Sequence, residues 1–256
     1  MKRLPLLPLL IAVVTAAQLS CASFSRTATS RPPGTSEKDQ AAIDEILKRY
    51  EDALGGRDAI DGIKSYKLSG RFALASLTGN IQGWRKEPHK TLTIIEFPGA
   101  GSLKKGFDGE TRWIQTPVGT YTDTDPQGEI AELERDAEVF SAGKIKSLFY
   151  SMKLENKARL NGREVHVIEG EPQRGPAEKL FFDTQSGLLV RWDMARKHPK
   201  RGTIFVKVHL DDYKDVDGVK IPFRVRFAFE SFSFTVQVDK LENNISIDDT
   251  IFKKPS

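Results

Sequence analysis

Cysteine is almost missing from this chain: its 256 residues hold one, Cys21, so no disulfide can form within it even in an oxidising compartment. Long apolar runs are missing too. The best candidate, from Leu4 to Ala17, is broken by Pro5 and Pro8 and is shorter than the roughly 20 residues a membrane-crossing helix needs. Net charge is small, with 39 Lys and Arg against 35 Asp and Glu, giving +4, or +2 once Lys2 and Arg3 are set aside. With no Lys/Arg stripe interleaved with aromatics, nucleic acid is not expected as a partner.

Patterns that carry chemistry are scarce as well. The four histidines, His89, His166, His198 and His209, include no pair at the i, i+4 spacing of a helical zinc site. His166 and His209 could meet across a sheet beside Asp211 or Asp212, but two exposed strand histidines are the plainer reading. The acidic run 211–217 fails as a calcium loop. A 12-residue loop with Gly218 at its sixth position starts at Tyr213 and puts Arg224 where a bidentate Glu belongs. A Gly-x-Ser-x-Gly elbow and a phosphate-cradling glycine pattern are both lacking. No catalytic residue, metal or cofactor is therefore assigned, and the chain is expected not to be an enzyme.

What the N-terminus does hold is an export pattern: Lys2 and Arg3, an uncharged stretch rich in Leu, Ile, Val and Ala, then Ser20-Cys21-Ala22-Ser23. Gln18-Leu19-Ser20-Cys21 resembles the bacterial lipoprotein cleavage box, in which a small residue precedes a cysteine that receives an acyl group such as palmitate. Ser20 fits that box; Gln18 and Leu19 depart from it. The resemblance implies removal of a signal peptide spanning 1–20 and an acylated Cys21 as an N-terminal lipid anchor. Ala22 and Ser23 lack the Asp that resembles an inner-membrane retention signal, which points to an outer-membrane lipoprotein facing the periplasm. Ordinary cleavage after Ala22 is the alternative, and it leaves a soluble periplasmic protein. Residues 21–35, rich in Ser, Thr, Arg and Pro, read as a flexible linker reaching on the order of 20 Å. Residues 36–256 suffice for a single domain.

Within that domain, Ser36 and Asp39 make a capped start, and Ile43, Ile46, Leu47, Tyr50 and Leu54 recur at helical spacing up to Gly55-Gly56. A short helical turn over 58–63 follows. From Tyr66 the period becomes two: Tyr66, Leu68, Phe72 and Leu74 share one face, and Lys67, Ser69 and Arg71 the other. Strands are predicted over 66–74, 81–86, 91–97, 103–107 and 111–115, with connections too short for parallel crossovers. Asp125-Pro126 then opens a helical insertion. It carries one stripe of Ile130, Leu133, Ala137 and Phe140 and a second of Ile145, Leu148, Phe149 and Met152, two helices bent near Gly143. Strands resume at 157–160 and 163–169 around Asn161-Gly162, a strong hairpin signal. They continue over 179–183, 188–193, 203–213, 219–230 and 231–241. The fold class is α+β, mainly β: about ten strands and three helices in an incomplete antiparallel β-barrel. Its strongly curved sheet is covered by a helical lid that leaves an apolar groove.

Three segments carry a family resemblance. Ala53-Leu54-Gly55-Gly56-Arg57-Asp58-Ala59-Ile60 with Ile63-Lys64-Ser65-Tyr66 is similar to the helix-to-first-strand junction of the bacterial outer-membrane lipoprotein carriers and receptors, the LolA/LolB-like proteins. Gly106-Phe107-Asp108-Gly109-Glu110-Thr111-Arg112-Trp113 resembles their mid-sheet turn and Trp strand. The run from Asp211 to Pro222, DDYKDVDGVKIP, resembles a late hairpin common in them. The resemblance covers roughly residues 37 to 252 and implies a hydrophobic cavity that receives acyl chains of a lipoprotein or another lipid, for transfer or sorting to the outer membrane, without catalysis. Phe72, Leu74, Trp113, Phe181, Phe205, Phe223, Val225 and Phe234 are the expected groove walls and Phe149 the expected lid residue, with plain core packing as the competing account of each. A periplasmic sensor or scaffold gripping a protein partner through the concave sheet is the second functional reading.

Overall fold

A computed structural model describes residues 37–123, 142–172, 176–198 and 202–255. Its centre is one antiparallel sheet of fourteen strands in the order β6-β5-β4-β3-β2-β1-β14-β13-β12-β11-β10-β9-β7, with β8 also paired to β9. In chain order these are β1 (Ser65–Leu74), β2 (Leu77–Lys86), β3 (Lys90–Phe97), β4 (Gly101–Phe107), β5 (Arg112–Thr116), β6 (Gly119–Asp123) and β7 (Phe149–Leu154). Then come β8 (Ala158–Leu160), β9 (Arg163–Pro172), β10 (Glu178–Asp183), β11 (Leu189–His198), β12 (Gly202–Val216), β13 (Val219–Ala228) and β14 (Ser233–Asn243). Almost every neighbour is a sequential hairpin. The principal exception is the pairing of β1 with β14, which runs from Tyr66 opposite Asn243 to Leu74 opposite Phe234. That contact makes one curved sheet of two meanders, and the barrel stays open between β6 and β7.

Helix α1 (Glu37–Leu54) buries Ile43, Ile46, Tyr50 and Leu54, one stripe at the spacing that lays a helix on a sheet. The proposed cap, Ser36, lies outside the described residues. The stripe enters a large apolar cluster with Leu180, Phe182, Leu189, Trp192 and Val208 from the concave face. At the end of α1 the chain passes tight against the β12–β13 turn: a Cβ on Gly55, whose φ is +124°, would lie 2.0 Å from the Gly218 carbonyl oxygen. Only glycine fits there. The short helix α2 (Arg57–Asp61) follows and leads into β1.

The second apolar stripe of the insertion is not one helix. Ala142–Leu148 form a 3-10 segment and Phe149–Leu154 the edge strand β7. The spacing of three between Phe149 and Met152, read from sequence as helical, arises from an irregularity in the β7–β9 register between Phe149 and Ser151. A bulge lets two residues an odd number apart face the same side. Gly170 on β9 supplies the seat for the Phe149 ring, since a Cβ there would meet Phe149 Cδ1 at 2.5 Å. The first stripe, Ile130 to Phe140, lies outside the described residues.

The sheet is apolar on both sides near β2–β5. On its outer face Leu92 and Trp113 are buried together with Ile247 and Phe252 of the C-terminal segment. The Trp113 indole Nε1 donates to the Phe252 carbonyl oxygen at 2.7 Å. Asp249, at the start of a 3-10 turn (Asp249–Phe252), receives Lys86 at 2.8 Å and Lys90 at 2.5 Å. Those two lysines hold its carboxyl at a pKa of about 2.

Candidate functional site

Between the C-terminal end of α1, α2 and the concave face lies a cavity of about 360 Å³. Its floor follows from the strand register. One cross-strand row is Asn243–Tyr66–Arg85–Thr91, the next Leu241–Leu68–Gly83–Thr93, the next Val238–Gly70–Ile81–Ile95. Side chains two apart on a strand share a face, so these rows run from a polar end to an apolar one. Leu210, Val225 and Val236 continue the apolar wall on β12–β14. Leu54, Ile60 and Ile63 form the roof.

The hollow has a cause in residue size. In the middle row Gly83 contributes no side chain and Thr93 a short one. A Cβ on Gly83 would touch Leu68 Cγ at 3.1 Å, so Leu68 leans over the glycine. Under α1, by contrast, Phe182, Leu180 and Trp192 fill the same layer and are 1% exposed or less.

Polar groups gather at one end. Tyr213 Oη donates to the Leu189 carbonyl oxygen at 2.7 Å, and its hydroxyl and that of Tyr50 are hydrogen-bonded to each other. Burial pushes the pKa of both phenols well above their ordinary value, so they stay neutral and act as fixed dipoles. Tyr66 is likewise raised by burial, with the positive charge of Arg85 opposing the shift. Asn243 Nδ2 donates to the Val216 carbonyl oxygen at 3.3 Å, while its Oδ1 is buried with no hydrogen-bond partner. Five charged residues line the cavity: Asp61, Lys64, Arg85, Glu87 and Lys220. Lys64 pairs with Glu87 at 3.1 Å and Asp61 with Arg57 at 3.9 Å.

Of the groove residues expected from sequence, Val225 lines this cavity. Phe72, Leu74 and Phe234 share a second apolar cluster at the far end of β1, where Phe72 meets Phe97 edge-on at 5.6 Å and Phe234 at 5.1 Å. Phe149 is packed in the main cluster, 6.1 Å from Trp192. The remaining four lie away from the cavity. Trp113 is on the outer face under the C-terminal segment. Phe181 is on the opposite side of β10 from Leu180 and Phe182, beneath the Arg191 guanidinium at 4.7 Å. Phe205 is 65% exposed because its neighbours Ile204 and Val206 point inward. Phe223 is buried under Lys214 Nζ at 4.6 Å, near Asp212, whose positive φ of 54° interrupts the alternation of β12.

Sequence reasoning passed over Gly83, Thr93 and Arg85. A glycine inside a strand was the available signal, since it marks either close backbone approach or missing volume. His166 on β9 and His209 on β12 do not meet, because β10 and β11 stand between them. Among the described residues no group of three His, Cys, Asp or Glu side chains could share a metal ion, and no helix is long and apolar enough to cross a membrane. Cys21 lies outside the described residues.

No protein-family model matches the chain, and no curated protein matches it by sequence. Solved structures do. A domain described as an outer membrane lipoprotein-sorting protein from Vibrio parahaemolyticus is 14% identical, covering 84% of this chain and 96% of its own, with a TM-score of 0.55. A LolA superfamily protein from Nitrosomonas europaea is 11% identical, covering 82% and 97%, with a TM-score of 0.53. A DUF1329 family protein from Desulfovibrio piger is 12% identical, covering 85% and 98%, with a TM-score of 0.57. The chain, an unclosed antiparallel barrel, thus shares its fold with these structures.

Proposed function

We propose that this chain is a non-enzymatic protein of the bacterial cell envelope that holds a lipid acyl chain in the cavity beneath α1 and α2. The observation that carries the reading is that cavity, about 360 Å³ of space floored by Leu68, Gly83 and Ile81 and roofed by Leu54 and Ile60. It falls within the roughly 300–1,000 Å³ of small-molecule sites. The driving force is burial: each methylene moved from water into the hollow contributes about 0.8 kcal/mol, and no covalent step is needed. The fold shared with a lipoprotein-sorting domain and a LolA superfamily protein supports the same reading. In this proposal residues 1–20 direct export, Cys21 carries the lipid that anchors the protein to the outer membrane, and residues 21–35 tether the domain on its periplasmic side.

The test is mass spectrometry of the full chain purified from membranes without added detergent lipid. Acyl species at near-stoichiometric amounts are expected. A stoichiometric polypeptide with no lipid replaces this reading with the scaffold one. Radiolabelled palmitate incorporation into wild type and Cys21→Ala checks the anchor separately: label confined to the wild-type membrane fraction is expected, and label equal in both removes the anchor.

A further inference from the structure

Four of the five charged residues around the cavity are accounted for without an occupant. Lys64 and Glu87 neutralise each other, Asp61 faces Arg57, and Lys220 is exposed at the rim on β13, in register with Asp215. Arg85 differs. It is half-buried on the cavity side of β2, in the polar row between Tyr66 and Thr91, and has no ion pair or side-chain hydrogen bond among the described residues. The cavity lining as a whole carries three cations and two carboxylates, an excess of one positive charge. A guanidinium kept half out of water without an anion is disfavoured, and its fork of N–H donors matches a planar carboxylate.

The cavity is therefore amphiphilic along the strands. Arg85 stands at one end and Ile81, Ile95 and Val238 lie two rows away, on the order of 14 Å along the sheet at about 3.4 Å per residue. Its volume bounds the tail. About 360 Å³ spread along that roughly 14 Å suits one extended chain, about as long as the span, and not several. We infer that the occupant is a single-chain fatty-acid anion of about this length, with its carboxylate on Arg85 and its tail on Leu68, Ile81 and Val236. A monoanion matches the single uncompensated charge, whereas a phosphate monoester dianion would leave one negative charge unmatched.

This rests on the acyl-binding reading above, and the experiment separates the two. The full chain, freed of co-purified lipid, is titrated at pH 8 with laurate, dodecan-1-ol and dodecyl phosphate by displacement of a fluorescent acyl probe. Wild type is expected to bind laurate at least tenfold more tightly than the alcohol and more tightly than the phosphate. Arg85→Gln is expected to lose that preference through weaker laurate binding, and Arg85→Lys to keep part of it. An unchanged urea midpoint shows that the variants are folded. Equal affinity for laurate and the alcohol, or a preference that survives in Arg85→Gln, overturns the role of Arg85 and leaves acyl binding standing. Tighter binding of dodecyl phosphate overturns the carboxylate assignment. Failure of all three ligands to bind overturns this inference and the acyl-binding reading together.

Discussion

The half of the sheet under α1 and the half under α2 are built from the same antiparallel strands, yet one is solid and the other hollow. Under α1 the concave face carries Leu180, Phe182, Leu189 and Trp192, which interdigitate with Ile43, Ile46 and Tyr50. The Trp192 indole Nε1 donates at 2.7 Å to Glu178, a carboxylate that is 1% exposed. Under α2 and the last turn of α1 the corresponding layer holds Gly83, Thr91 and Thr93, and its roof is Leu54, Ile60 and Ile63. The lesson is a division of labour: large side chains under the long helix stabilise the fold, and small ones under the short helix leave the space that a ligand can take.

The contrast is open to direct attack. The largest effect is expected from Trp192→Ala, which empties the solid half and removes the indole N–H that buried Glu178 accepts. Loss of about 3–5 kcal/mol in urea denaturation follows from aromatic truncation in a core; a loss below about 1 kcal/mol would mean that α1 is not seated on a packed layer. Phe149→Asp belongs with it: a carboxylate placed in the same buried cluster is expected to lower stability as well.

A smaller effect is expected from Thr93→Leu, which adds apolar volume to the hollow half. Stability should change by less than about 1.5 kcal/mol, while affinity for an acyl probe drops about tenfold. Unchanged affinity would mean that the probe binds elsewhere.

The smallest effect concerns the outer face, where Lys86 and Lys90 hold the Asp249 carboxyl at a pKa of about 2. A carboxyl lowered in the folded state contributes stability above its ordinary value of 3.8, and that contribution is lost as pH falls through about 2. Acidification from about 4 to about 2 should therefore loosen the C-terminal segment from Trp113. Indole fluorescence reports it, and in Asp249→Asn that step should be absent; a step of equal size in the variant would assign it to another group.

Much of the fold was legible because hairpins are local. Asn161-Gly162 joins β8 to β9 and Asp217-Gly218 joins β12 to β13 as the turn chemistry demands, with Asn161 and Asp217 both at positive φ. The stripe of α1 buried Ile43, Ile46, Tyr50 and Leu54 as its period indicated and left Leu47 half-buried against the same cluster. Strand β7 was misread because a bulge mimics helical spacing, and β6, Gly119–Asp123, has too few apolar residues to announce itself. The site was harder to see. Aromatic residues draw attention in a sequence, but Phe181, Phe205 and Trp113 face away from the cavity, and what makes the cavity is the lack of a side chain at Gly83.

By itself the sequence determined the order of hairpins, the amphipathic first helix and the inward and outward alternation of most strands, since each depends on residues a few positions apart. Only the tertiary structure decided that β1 pairs with β14, that Trp113 lies under the C-terminal segment, and that Arg85 faces a void. A void is the difference between the space the backbone encloses and the volume contributed by side chains as distant as Leu68, Gly83 and Leu241. No local pattern carries that sum.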